Sequence, residues 1–141
     1  MIKLWTGNFL IQSNPEMKIL IAEDNKMNQH LMSKYMIKLG WECVIVENGL
    51  QATEATRSEN FDAILMDIDM PILDGIEATR YIRVFNKIIP IIALTAYADD
   101  QMRTDCADAG MNAFIAKPCS RDEIKTVIAE CFEISTYKVA G

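Results

Sequence analysis

Five short apolar runs, each followed by a helix-like stretch, constrain this chain more than any other feature. Lys18–Ala22 (KILIA), residues 43–46, residues 63–66 (AILM), residues 89–94 (IPIIAL) and Ala113–Ala116 are too short for core helices. They also lack the strict apolar–polar alternation of a strand with one wet face. Continuous runs of this length suit strands buried on both faces, as in a parallel sheet covered by helices. Between them the spacing changes to that of helices. Met27, Leu31, Tyr35 (or Met32 and Met36) and Leu39 recur up to Gly40, a natural stop, and Gly49–Ser58 reads as a second helix. Asp74 is placed to cap a third helix that carries Ile76, Tyr81, Ile82 and Phe85. Asp99 or Asp100 caps a fourth that stops at Gly110. Ser120 caps the last, with Glu123 three residues on as a capping box, and Ile124, Val127, Ile128 and Cys131 form its apolar face. Strand and helix alternating in this way predict an α/β domain with a parallel five-stranded sheet and helices on both faces.

The strands are apolar, and polar residues appear at their carboxyl ends. Glu23 and Asp24 follow the first run, Asp67 the third, Thr95 the fourth and Lys117 the fifth. In an open parallel sheet ligands bind outside those ends, where the strand order reverses. Any one of these residues alone reads as a cap, a turn former or a solvated loop charge. Together they predict three carboxylates, a hydroxyl and an ammonium group on one rim. Carboxylates brought close need a cation, and oxygen ligands of this kind suit Mg²⁺. The Lys and the Thr could then hold phosphoryl oxygens. The chemistry this suggests is metal-assisted phosphoryl transfer to a carboxylate nucleophile.

The 141 residues suffice for one domain, and the 50% that are hydrophobic suffice for its core. A net charge of −6 gives no electrostatic reason to approach nucleic acid or an anionic membrane. Cys43, Cys106, Cys119 and Cys131 form no C-x-x-C pair and His30 is the single histidine, so isolated reduced thiols in a cytoplasmic setting are expected. No apolar stretch is long enough to span a bilayer, and residues 1–11 lack the pattern of a signal peptide. Residues 1–16 read as an N-terminal extension or linker remnant and 135–141 as a C-terminal tail.

Over residues 17–134 the sequence resembles the receiver domains of response regulators and hybrid histidine kinases. The resemblance rests on Ile19-Leu20-Ile21-Ala22-Glu23-Asp24-Asn25, on Leu65 to Gly75 (LMDIDMPILDG), on Ala93-Leu94-Thr95-Ala96 and on Lys117-Pro118, in that order. It implies a flavodoxin-like (βα)5 three-layer sandwich with sheet order 2-1-3-4-5. It also implies a phosphoacceptor role for Asp67 and direct Mg²⁺ ligation by Asp24, Asp67 and the backbone carbonyl of Asp69, with Glu23 acting through water. Lys117 would pair with Asp67 or the phosphoryl oxygens, and Thr95 and Phe114 would form a switch. Asp69 and Tyr97 occupy positions where the resemblance implies control of phosphoryl lifetime. The partner implied is a histidine kinase or histidine phosphotransfer protein, with neither nucleic acid nor membrane, and with a homodimer formed on phosphorylation as a further expectation. Glu23 to Gln29 is closer in style to receivers attached to hybrid kinases than to those of transcription factors, and no DNA-reading motif fits after Ser135.

Two alternatives compete. Asp67-Ile68-Asp69 resembles the D-x-D of haloacid-dehalogenase-like phosphatases, but there it follows the first strand, and the later acidic motif comes after the Lys. Here it follows the third run, and Asp99-Asp100 precedes Lys117. A receiver would turn over no external substrate, so the chain is expected not to be an enzyme in that sense. A non-phosphorylated binding module would not require the full polar set. Dinucleotide binding lacks its G-x-G-x-x-G.

Overall fold

A computed structural model describes residues 16–140, with side chains through Phe132. The expected N-terminal extension lies, but for Glu16, outside the described residues. The elements are β1 (Lys18–Ala22), α1 (Lys26–Leu39), β2 (Glu42–Val46), α2 (Gly49–Ser58), β3 (Ala63–Asp67), α3 (Gly75–Phe85), β4 (Ile91–Thr95), α4 (Asp100–Ala109), β5 (Ala113–Ala116) and α5 (Arg121–Ala140). All strand pairs are parallel and the sheet order is β2-β1-β3-β4-β5. The expected end of the domain at residue 134 falls inside α5.

The apolar runs behave as their composition demands. β3 and β4 are buried along their whole length, and β1 from Ile19 onward. The edge strands β2 and β5 are only partly covered. Alternate side chains feed two cores. Ile19, Ile21, Leu65, Ile92 and Leu94 pack under α1 and α5, while Leu20, Ile64, Met66, Ile91 and Ala93 pack under α2, α3 and α4. Cutting one of these large buried aliphatics to Ala would cost about 2–5 kcal/mol.

The helix starts are fixed by side-chain caps. Asn25, Asn48, Asp74 and Asp99 each accept from the backbone N–H three residues on, at 2.8–3.0 Å. Ser120 and Glu123 cap each other reciprocally at 3.0 and 3.1 Å. Gly40 and Gly110 end α1 and α4 in the left-handed conformation. Of the two apolar rows read on α1, Met32, Met36 and Leu39 face the core, with Tyr35 half-buried beside them. Met27 and Leu31 are exposed, because the helix meets the sheet along the neighbouring row. β4 begins two residues later than its apolar run, since Ile89 and Pro90 are buried in the approach to it. Trp41 is buried among the α1-side residues, and its indole N–H meets no acceptor among the described residues.

Candidate functional site

The carboxyl ends of the strands release their polar side chains onto one rim. Glu23 directly follows β1, and its backbone N–H still bonds Val46 of β2 at 3.0 Å. Lys117 follows β5, held by its N–H to the Thr95 carbonyl at 2.8 Å. Asp67 is the last residue of β3, in register with Leu94, so its side chain emerges between these two ends. Lys117 Nζ bridges the other two groups, 2.9 Å from Glu23 Oε1 and 3.0 Å from Asp67 Oδ2. Glu23 is fully committed, because its second oxygen accepts from the Asn25 N–H at 3.1 Å and its backbone carbonyl from Gln29 Nε2 at 2.6 Å. Asp24 stays exposed. One carboxylate oxygen from each of Glu23, Asp24 and Asp67 lies within 4.8 Å of the others. This donor set is all oxygen, as Mg²⁺ prefers, and its mutual repulsion is what a bound cation relieves.

Burial and charge set the protonation of the site. Asp67, only 5% exposed, is pushed up to about 6 by desolvation and by the neighbouring Glu23, against the downward pull of its bond to Lys117. Desolvation would lower Lys117, but its bonds to Glu23 and Asp67 outweigh it and hold the ammonium group above its ordinary value. The lysine is therefore a fixed positive charge.

Asp69 enters through its backbone, its N–H reaching Asp67 Oδ1 at 3.2 Å, while its exposed side chain stands outside the three-carboxylate group. Thr95 is buried, and its hydroxyl oxygen accepts from the Tyr97 N–H at 3.0 Å. Tyr97 follows at the same strand end with its ring 63% exposed. Phe114 is half-buried against the α4-side core, with the Arg103 guanidinium 4.5 Å from its ring centre. His30 is exposed on α1. Cys43, Cys106, Cys119 and Cys131 are free thiols.

Two glycines that support the site went unrecognised as such. A Cβ on Gly75 would collide with the Asp67 carbonyl oxygen, and one on Gly49 with the Leu73 carbonyl. Gly75 also donates its N–H to Ile68 O at 3.0 Å, folding the β3–α3 loop back onto the end of β3. The signal lay in the Asp74-Gly75 pair: a cap followed by a residue with no side chain, where backbone must touch backbone. The Glu23–Lys117 ion pair was also missed, since sequence order says nothing of which strand ends face each other.

The model of the response regulator receiver domain matches residues 19–129. Hybrid signal transduction histidine kinase K of Dictyostelium discoideum is 37% identical over 82% of this chain, which spans 10% of that protein. Transcription factor SKN7 of Candida albicans is 34% identical over 83% of this chain and 21% of its own length. The chain thus corresponds to a small part of these relatives. Among solved structures, the receiver domain of sensor histidine kinase PA1611 from Pseudomonas aeruginosa, with a magnesium ion coordinated in its active-site cleft, superposes with a TM-score of 0.77. It is 40% identical, and the match covers 82% of this chain and 96% of that one. Among the described residues no helix is long and apolar enough to cross a membrane.

Proposed function

The chain belongs to the response regulator receiver domain family, and on that footing we propose that Asp67 is the residue that carries the phosphoryl group in a two-component phosphorelay. The observation that supports this assignment is Lys117 Nζ bridging Glu23 and Asp67 within a three-carboxylate group. The donor is a histidine kinase or a histidine phosphotransfer protein. One Asp67 oxygen attacks the phosphorus of the donor's phosphohistidine. The P–N bond breaks, the imidazole leaves with the electron pair and is protonated from water, and Asp67 becomes an acyl phosphate. Asp24, Asp67 and the Asp69 backbone carbonyl would hold Mg²⁺, with Glu23 acting through water, and the ion offsets the charge of the carboxylates and the phosphoryl oxygens.

The chain's own groups do the rest. Lys117, charged and anchored by Glu23, moves its bond from Asp67 to a phosphoryl oxygen. Thr95 already accepts from Tyr97 N–H, while its own proton has only a distant contact at 3.5 Å with the Tyr97 carbonyl. That proton is free to donate to the phosphoryl group, and the exchange of partners would draw in the β4–α4 connection and Phe114 with it. The same proposal holds the chain to be cytoplasmic, without nucleic-acid or membrane contact of its own. It self-associates on phosphorylation and turns over no external substrate, so a generic phosphate monoester should remain intact. The test is intact mass after treatment with acetyl phosphate and Mg²⁺. One phosphoryl adduct is expected, absent in Asp67→Ala and absent with a chelator. An adduct kept by Asp67→Ala would overturn the assignment.

A further inference from the structure

α3 carries two apolar rows. Ala78 and Ile82 are buried in the core. Tyr81, Val84 and Phe85, continued by Ile88 just past the helix, repeat the same helical spacing on the outside, with Val84 74% and Ile88 86% exposed. A second apolar stripe on a helix that already has a core face is the pattern of a helix that packs against another surface. At Tyr81 the patch meets a groove of about 520 Å³ between α2 and α3, lined also by Leu50 and by Ile72 of the β3–α3 loop. Ile72 has φ of +71°, a conformation rare for a β-branched residue, and its side chain is 77% exposed. An apolar, branched side chain is thus held in water against its backbone preference.

Charge identifies what fits this face. α1 presents Lys26, Lys34 and Lys38 with no carboxylate, and α4 presents Asp100, Asp105 and Asp108 against Arg103 alone. Two copies meeting symmetrically through either helix would oppose like charges. α2 and α3 carry both signs on this face, while Arg83 is turned away to the Gly110 carbonyl and Asn112 Oδ1. Glu54 stands three residues before Arg57 beside the groove, and Glu77 three before Arg80, where the two already pair. Arg57 is held in place by stacking 4.4 Å over the Phe85 ring. If the twofold axis of an antiparallel pair passes between positions 54 and 57, each Glu54 faces the mate's Arg57.

We propose that the α2–α3 face joins two copies of this chain as a symmetric dimer, with Ile72, Tyr81 and Val84 at its centre and reciprocal Glu54–Arg57 pairs at its edge. The face is distinct from the carboxylate rim and does not require the phosphoacceptor assignment. The loop bearing Ile72 leaves directly from Asp67, so both the unmodified and the phosphorylated chain belong in the test.

Sedimentation equilibrium of the 141-residue chain at micromolar concentrations, before and after acetyl phosphate treatment, should show a dimer in at least one state. Val84→Glu, a fully surface change whose folding is checked by circular dichroism, should weaken it roughly tenfold or more. Glu54→Arg and Arg57→Glu should each weaken it, and the double swap should restore it. A monomer in both states overturns the proposal. So does a dimer indifferent to Val84→Glu, which would be held by another face. A double swap that stays weak overturns the twofold pairing. If no phosphoryl adduct forms, the Asp67 assignment fails, and the unmodified chain alone decides this one.

Discussion

Replacing Asp67 with Asn should stabilise the metal-free protein at neutral pH, although it removes the proposed phosphoacceptor. Lifting a carboxyl from its ordinary 3.8 to about 6 corresponds to roughly 3 kcal/mol against its ionised form in the fold. The sign follows from proton binding. Between about pH 4 and pH 6 the folded chain holds a proton at Asp67 that the unfolded chain has released, so stability falls as pH rises through that window. The penalty is absent below pH 4 and fully present above pH 6. Asn is nearly isosteric and still offers Lys117 an acceptor, but it does not titrate. Urea unfolding with a chelator, followed by far-UV circular dichroism, should therefore show Asp67→Asn ahead by about 1–3 kcal/mol at pH 7.5, the lower bound allowing for the weakened Lys117 attraction. The gap should close toward zero near pH 4.5. Adding Mg²⁺ should raise the stability of the natural chain more than that of the variant, because only the natural chain keeps the full ligand set. Parallel pH curves for the two proteins, or a variant less stable at pH 7.5, would refute the claim that burial, with Glu23 beside it, makes ionised Asp67 costly in the metal-free fold.

Lys117→Met should leave Glu23 and Asp67 facing each other without a counter-charge and slow phosphorylation by acetyl phosphate by roughly 10²-fold, read by intact mass over time. Gly75→Ala should drive a methyl group into the Asp67 carbonyl and cost about 1–3 kcal/mol, measured by urea unfolding; an unchanged midpoint would mean that the loop yields freely. Tyr97→Ala should shorten the life of the phosphorylated state if the ring covers the in-line approach of water that hydrolysis requires, and decay at the natural rate or slower would show that an exposed ring gives no shield.

The fold was legible because its signals are local and repeated. Runs such as AILM and IPIIAL admit few other readings, and Asn25, Asp74, Ser120, Gly40 and Gly110 mark helix ends by their own chemistry. That Glu23, Asp24, Asp67 and Lys117 meet was legible for a related reason: polar residues at the ends of apolar strands have one rim to occupy once the sheet is parallel. Less legible was everything set by packing between distant segments. Whether α1 buries Met27 and Leu31 or Met32 and Met36 depends on the angle at which the helix meets the sheet, and both rows are apolar. That Glu23 is an anchor for Lys117 while its neighbour Asp24 stays open depends on which adjacent side chain turns toward β5.

That division of labour within the acidic pair carries a physical consequence. Glu23, buried and bonded on both oxygens, has little freedom to approach a ligand, so its charge acts mainly through Lys117. Asp24, exposed and next in sequence, keeps its oxygens available. A cation arriving at the rim therefore meets one exposed carboxylate, one buried carboxylate already paired with a lysine, and Asp67, whose ionised form burial disfavours and the cation itself would favour. Binding of the ion and ionisation of Asp67 are then linked, because burial first and the charge of Glu23 second disfavour the ionised carboxyl, and a cation beside it offsets both.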